Sequence, residues 1–152
     1  RLNVFAGLAG FYFVRGEPES SVCPALPKDN YEIELLIADR QFDTNGQLFF
    51  PDGNPLTAGL NGPPGNPDIN TYAIPEFFGD VILVNGKSWP YLEVEPRRYR
   101  FRLLNGSNAR MYGLYLTSDN NSQVPNIWQI GTDGGLLDTP VNISSFVPFT
   151  YN

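Results

Sequence analysis

The stretch 75–104 limits this chain more than any other part of it. Asp80 to Val84 is a short apolar run. Asn85-Gly86 follows, and a second extended run continues to Val94. Asn-Gly tolerates positive φ at both central positions of a tight turn, so it predicts an antiparallel hairpin. Further on, Tyr99, Phe101 and Leu103 alternate with Arg98, Arg100 and Arg102. A period of two places three apolar side chains on one face of a strand and three cations on the other. A chain built around such a stretch must form a sheet.

The remaining sequence agrees with that reading. No window of 11 or more residues keeps a helical period, and 15 Gly and 14 Pro punctuate the chain into short segments. Strands are expected at Ala9–Val14, Tyr31–Asp39, Gln47–Phe50, Met111–Thr117 and Asn126–Thr132, and a last one is expected to begin in Ser145–Thr150. Asp43-Thr44-Asn45-Gly46 is expected to be a turn, and so is Asp133-Gly134-Gly135. Leu136–Asn142 reads as an extended or turning connection, and Asn105–Arg110 as a polar turn or a single helical turn. Residues 51–74 are rich in Pro, Gly and Asn and read as a long loop, of a kind that is often functional. Eight or so short strands at spacings near ten residues predict an all-β sandwich or barrel.

Composition excludes several kinds of chemistry. The chain has no histidine, one Cys and one Met. Histidine is the commonest copper and zinc ligand and the commonest general base near neutral pH, so an ordinary His/Cys metal site cannot be assembled. A formal net charge of −6 argues against nucleic acid or an anionic membrane surface as partner. No apolar run approaches the ~20 residues that span a bilayer. Cys23 has no partner for an internal disulfide, and prolines surround it with no basic residue nearby except Lys28.

The chemistry-bearing residues each have a plain alternative reading. Arg97, Arg98, Arg100 and Arg102 suggest an anion-binding surface. The expected reading is a solvated or interdomain strand face paired with Glu93 and Glu95. Asp39, Asp43, Asp52, Asp68, Glu76 and Asp80 suggest paired carboxylates, but nothing in their spacing brings two together, so an acidic surface is expected. Ile130 to Gly135 lacks the spacing of a phosphate loop and reads as a tight turn. Trp89 and Trp128 are of the type that stacks on sugars; in a sandwich such residues are more often core.

One combination of motifs goes further. Ile82 to Arg110, with its VNG turn, its WPYLEVEPRRYRFR run and its NGSNAR turn, closely resembles the middle domain of bacterial multicopper oxidases, in the spore-coat laccase and bilirubin-oxidase branch. Tyr31–Phe50 resembles the start of that domain, and Ile130–Leu137 a later strand and turn. Arg1–Val14 is similar to the segment after the second His-x-His motif of the first domain. The resemblance implies a cupredoxin-like Greek-key sandwich or barrel, incomplete at its C-terminal end. Residues 1–16 are then a terminal strand of the first cupredoxin domain, 17–30 a linker, and 31–152 a second, copper-free domain.

In that family, copper held by the first and third domains oxidises phenolic substrates, pigments or metal ions and reduces dioxygen to water. None of the copper-binding motifs is present here. The resemblance therefore implies a central piece of an oxidase that has no cofactor of its own, although the parent carries copper, and that is inactive alone. Its partners are the remaining cupredoxin domains, with self-association through exposed strand edges. The parent is expected to be extracytoplasmic. Pro75, Glu76, Phe77, Phe78 and Gly79 match the family segment that lies at the substrate-pocket rim, and Glu76 is the candidate contact for a cationic or phenolic substrate. A stand-alone secreted carbohydrate-binding module is the alternative; it requires Trp89 and Trp128 to be exposed on one face, whereas the oxidase reading buries them.

Overall fold

A computed structural model describes residues 2–15, 26–50, 76–114, 116 and 125–143. Cys23, the loop 51–74, Pro75 and the strand expected within Ser145–Thr150 lie outside the described residues. The chain divides into two compact units, Arg1–Met111 and Tyr112–Asn152.

The first unit is organised on β1 (Glu32–Arg40). Its alternation of apolar and acidic residues at 32–35, continued by an apolar run to Ala38, gives a strand, and its last four residues, Ile37 to Arg40, are all buried. A short helical turn, α1 (Leu2–Phe5), precedes it. β2 (Val81–Val84) lies antiparallel to β1, with Ile37 opposite Val84 and Arg40 opposite Val81. β3 (Lys87–Ser88) folds back on β2. β4 (Arg100–Asn105) runs parallel to β1 on its other side, from Glu32–Arg100 to Ile37–Asn105. The sheet order is β3-β2-β1-β4. A long connection joins the antiparallel pair, and the parallel pair needs the whole β2–β3 excursion as its crossover.

The predicted hairpin forms at the expected place. Asn85 and Gly86 both have positive φ, 50° and 79°, as a two-residue turn of this kind requires. Asn85 does more than turn the chain. Its backbone N–H donates to the Leu36 carbonyl at 2.9 Å. Its side-chain oxygen accepts the Leu36 N–H at 2.8 Å, and its side-chain NH2 donates to the Glu34 carbonyl at 2.8 Å. The amide extends the ladder beyond the end of β2 and fixes the register of the turn on β1. The second arm is much shorter than the sequence suggests, because pairing stops at Ser88; Pro90 has no N–H to continue it.

The second unit contains one hairpin, β5 (Trp128–Thr132) and β6 (Gly135–Asn142), with a register irregularity between Gln129 and Gly131. The Asp133-Gly134-Gly135 region turns as expected, but the segment after it is a full strand rather than a loose connection.

Other expectations are corrected. Ala9–Val14 forms no strand, and among the described residues 2–15 the regular structure is the helical turn Leu2–Phe5 instead. This segment packs on the first unit through side chains. Phe5 is buried and meets Phe50 and Phe77 edge-on, at centroid distances of 4.8 and 5.5 Å, and Arg15 reaches Glu32 at 3.0 Å. Gln47–Phe50 contributes only a single bridge, Phe42 to Leu48. The described residues from Met111 onward form no strand before Trp128. The protein is mainly β, and among the described residues the sheet is open, with no closed barrel.

Candidate functional site

Period two in β4 is correct, but its polarity is reversed. Arg100 is buried and Arg102 half-buried, whereas Phe101 and Leu103 are about half exposed. The cause is Glu32, which sits opposite Arg100 on β1 and keeps only 4% of its side-chain surface. Its Oε1 accepts from Arg102 Nε and lies 3.7 Å from Arg100 Nη1, while its Oε2 accepts from Arg15. Phe13 lies against two of these cations, with Arg102 4.7 Å and Arg15 5.4 Å from its ring centre. Burial by itself pushes the Glu32 carboxyl up, but the hydrogen bonds from Arg102 and Arg15 and the neighbouring positive charge outweigh it and hold the group below its ordinary range. Arg100 and Arg102 therefore belong to a packed ion cluster rather than to a solvated face, whereas Arg97 and Arg98 are exposed, as expected of a solvated face. Glu95 accepts a long bond from Tyr31 (3.4 Å).

A second cluster holds the candidate rim segment. Asp39 is 2% exposed. Its Oδ2 accepts the Gly79 N–H at 2.7 Å and Arg110 Nε at 3.1 Å. Arg110 Nη2 donates to the Gly79 carbonyl at 2.7 Å. Both backbone polar groups of Gly79 are thus taken by one carboxylate and one guanidinium, which also bind each other. The planar fork of arginine is what allows one side chain to serve two acceptors in this way. The Asp39 N–H donates to Ser107 Oγ at 2.9 Å. Desolvation raises the Asp39 carboxyl, yet the hydrogen bonds from Ser107, Gly79 and Arg110 prevail and hold it below its ordinary range.

The turn Asn105–Arg110 builds this cluster. Asn105 closes the turn with both ends of its amide, accepting the Ser107 N–H at 2.9 Å and donating to the Arg110 carbonyl at 2.7 Å. Gly106 is favoured by tight packing, since a Cβ there would stand 3.0 Å from the Leu36 side chain, which would have to give way by a few tenths of an ångström. Gly79 is required more strictly: a Cβ there would collide with the main chain of Arg40, its carbonyl oxygen first.

The structure places four of the five rim candidates. Glu76 is exposed. Phe77 packs edge-on against Phe5 and Phe50. Phe78 is half exposed, with the Arg110 guanidinium 5.3 Å from its ring centre. Gly79 is buried in the clasp. Asp39, Arg110 and Glu32 are the residues that sequence reasoning misses. Asp39 reads as one of the surface acids; the signal for it is the Asn-x-Ser-x-x-Arg turn one strand away. Trp89 and Trp128 are not core: they are 79% and 55% exposed.

The donor set does not fit a copper centre. The sequence holds no histidine. Among the described residues no three His, Cys, Asp or Glu side chains come together, and the two buried carboxylates are committed to arginine. No copper step is assigned to these residues.

No protein-family model matches the chain. A laccase of Bacillus stratosphericus is 52% identical over 147 residues, 96% of this chain and 26% of the relative. A laccase of Bacillus subtilis is 48% identical over 146 residues, again 96% of this chain and 26% of the relative. Among solved structures, a variant of the multicopper oxidase McoA from Aquifex aeolicus matches 93% of this chain and 27% of its own, with a TM-score of 0.69 at 39% identity. The chain is a segment of the multicopper oxidase family, with the cupredoxin-type β structure of that family. It spans about a quarter of the length of the relatives it matches, and the laccases of Bacillus are among those relatives.

Proposed function

We propose that this chain is the copper-free central part of a laccase-like oxidase, inactive by itself, which spaces copper-bearing domains and contributes residues 75–79 to the rim of their substrate cleft. In this reading the longer protein oxidises phenolic-type substrates or metal ions at the expense of dioxygen and works outside the cytoplasm. The observation that carries the reading is the 52% identity across 96% of the chain to a quarter of a laccase, combined with a sequence that has no histidine. Incubation of the chain with Cu(II) and a phenol tests its inactivity. No blue absorption band and no oxygen uptake above the buffer rate are expected; either signal overturns the reading.

One observation favours a second reading. Exposed Trp89 and Trp128 are the outcome that a carbohydrate-binding module requires. They belong to different units, and exposed apolar surface is equally what a segment lacking its neighbouring domains presents. Titration with soluble oligosaccharides while following tryptophan fluorescence separates the two. A saturable change that Trp89→Ala abolishes supports the module, and a flat titration supports the oxidase segment. The partners proposed are the other cupredoxin domains and, in the isolated chain, a second copy.

A further inference from the structure

We propose that Asp39 and Arg110 are positioning residues for substrate binding: their joint grip on Gly79 sets where Glu76 and Phe78 stand at the rim. The proposal rests on the rim reading above. It is carried by geometry within the first unit. Gly79 is the last residue of the rim segment, and its N–H and C=O are bound by Asp39 Oδ2 at 2.7 Å and Arg110 Nη2 at 2.7 Å. The two side chains close the ring through Arg110 Nε at 3.1 Å. Backbone contact holds the segment as well, because Gly79 lies too close to Arg40 for any Cβ. The same guanidinium lies against the ring of Phe78, which is half exposed. One side chain therefore fixes the main chain at position 79 and supports the side chain at position 78. Phe77 is held separately, by Phe5 and Phe50. Neither Asp39 nor Arg110 is required to touch substrate; both act through the segment they hold.

Arg110→Lys is the discriminating substitution. Lysine keeps the positive charge facing Asp39, but it has a single nitrogen in place of a planar fork and cannot serve Asp39 and the Gly79 carbonyl as arginine does. The test uses the full-length, copper-loaded protein that carries this segment. Arg110→Lys, Arg110→Gln and Asp39→Asn are compared with Glu76→Ala and Phe78→Ala at the rim itself. Two readouts are taken: hydrogen exchange of the peptide spanning 76–84, and KM and kcat for a bulky phenol, with blue absorbance confirming an intact fold. Arg110→Lys is expected to keep the fold, to accelerate exchange in 76–84, and to raise KM about fivefold while kcat stays within about twofold. If Glu76→Ala and Phe78→Ala raise KM but Arg110→Lys and Asp39→Asn do not, the positioning proposal is wrong and the rim reading stands. If none of the five changes KM, the rim reading fails and the proposal falls with it. If Arg110→Lys lowers kcat with KM unmoved, or leaves exchange at the wild-type rate, the clasp is structural only.

Discussion

Two kinds of side chain show how much a single polar residue decides in this sheet. Asn85 supplies positive φ and also hydrogen-bonds two backbone groups of β1. Asn85→Asp keeps the acceptor, loses the donor to the Glu34 carbonyl, and sets a negative charge against that oxygen. A loss of about 1–2 kcal/mol is expected, the ordinary consequence of unmaking one such bond and leaving its partner unsatisfied. Urea unfolding measures it, and an unchanged midpoint would show that the amide adds nothing to the turn. Glu32 and Asp39 make a pH-dependent contribution. Both carboxyls are held below their ordinary values of 4.5 and 3.8 in the folded chain. Their stabilisation is therefore complete above those values and is lost as pH falls through the lower, folded values. Stability is expected to decline with acid in that window, with a shallower slope in Glu32→Gln and in Asp39→Asn. Denaturation series at several pH values read the slopes; equal slopes in all three proteins would refute the assignment.

Among the strands, β1 is the element on which the first unit depends, because both of its edges are paired and its end meets the clasp. β2 reaches it antiparallel and β4 parallel. The approach of the 76–79 segment to β1 is governed by contact with the Arg40 backbone. Gly79→Ala would drive a methyl group into main-chain atoms of Arg40, the third nearest of them only 2.7 Å away, and backbone cannot rotate aside as a side chain does. The expected cost is about 3 kcal/mol, at the upper end for overpacked sites. Gly46, in the turn after β1, has open space where a methyl group would stand but has φ of 78°, so its replacement by Ala costs about 1 kcal/mol through backbone conformation alone. Thermal unfolding of the two variants should rank them in that order; the reverse order would mean that the segment is free to move away from Arg40.

Across the chain, exposed large apolar side chains outnumber the buried ones among the described residues. Among the described residues the buried apolar side chains are Phe5, Ile37 and Ala38, whereas Trp89, Tyr91, Phe101, Leu103 and Met111 are exposed. Among the described residues β4 is also an edge strand of the sheet, and such an edge invites pairing. Self-association of the isolated chain is expected, driven by β4 rather than by residues 9–14, which form no strand. Sedimentation at micromolar concentration should give a mass above the monomer, reduced by a Phe101→Thr/Leu103→Thr double substitution. A monomeric mass in the unaltered chain would contradict it.

The β class, the Asn85-Gly86 turn, the Asp43–Gly46 turn and the family are all legible in the amino-acid order. They depend on local backbone preference, such as positive φ at Asn-Gly, or on a string of residues read in succession. Asp43 illustrates it: its side chain accepts the Asn45 and Gln47 N–H groups, four residues away at most. The inward face of β4 is different, because it follows only from the fold in three dimensions. Period two says that Arg100 and Phe101 point in opposite directions; it does not say which direction is the interior. Glu32, far earlier in the chain, settles that, because a buried carboxylate needs its cations beside it more than Phe101 and Leu103 need burial in this unit. Asp39 is the same case. Nothing near it in the chain marks it as buried, and its partners lie 40 and 71 residues away. Charge pairing across such distances is set by which strands become neighbours, and a single sequence carries no record of that.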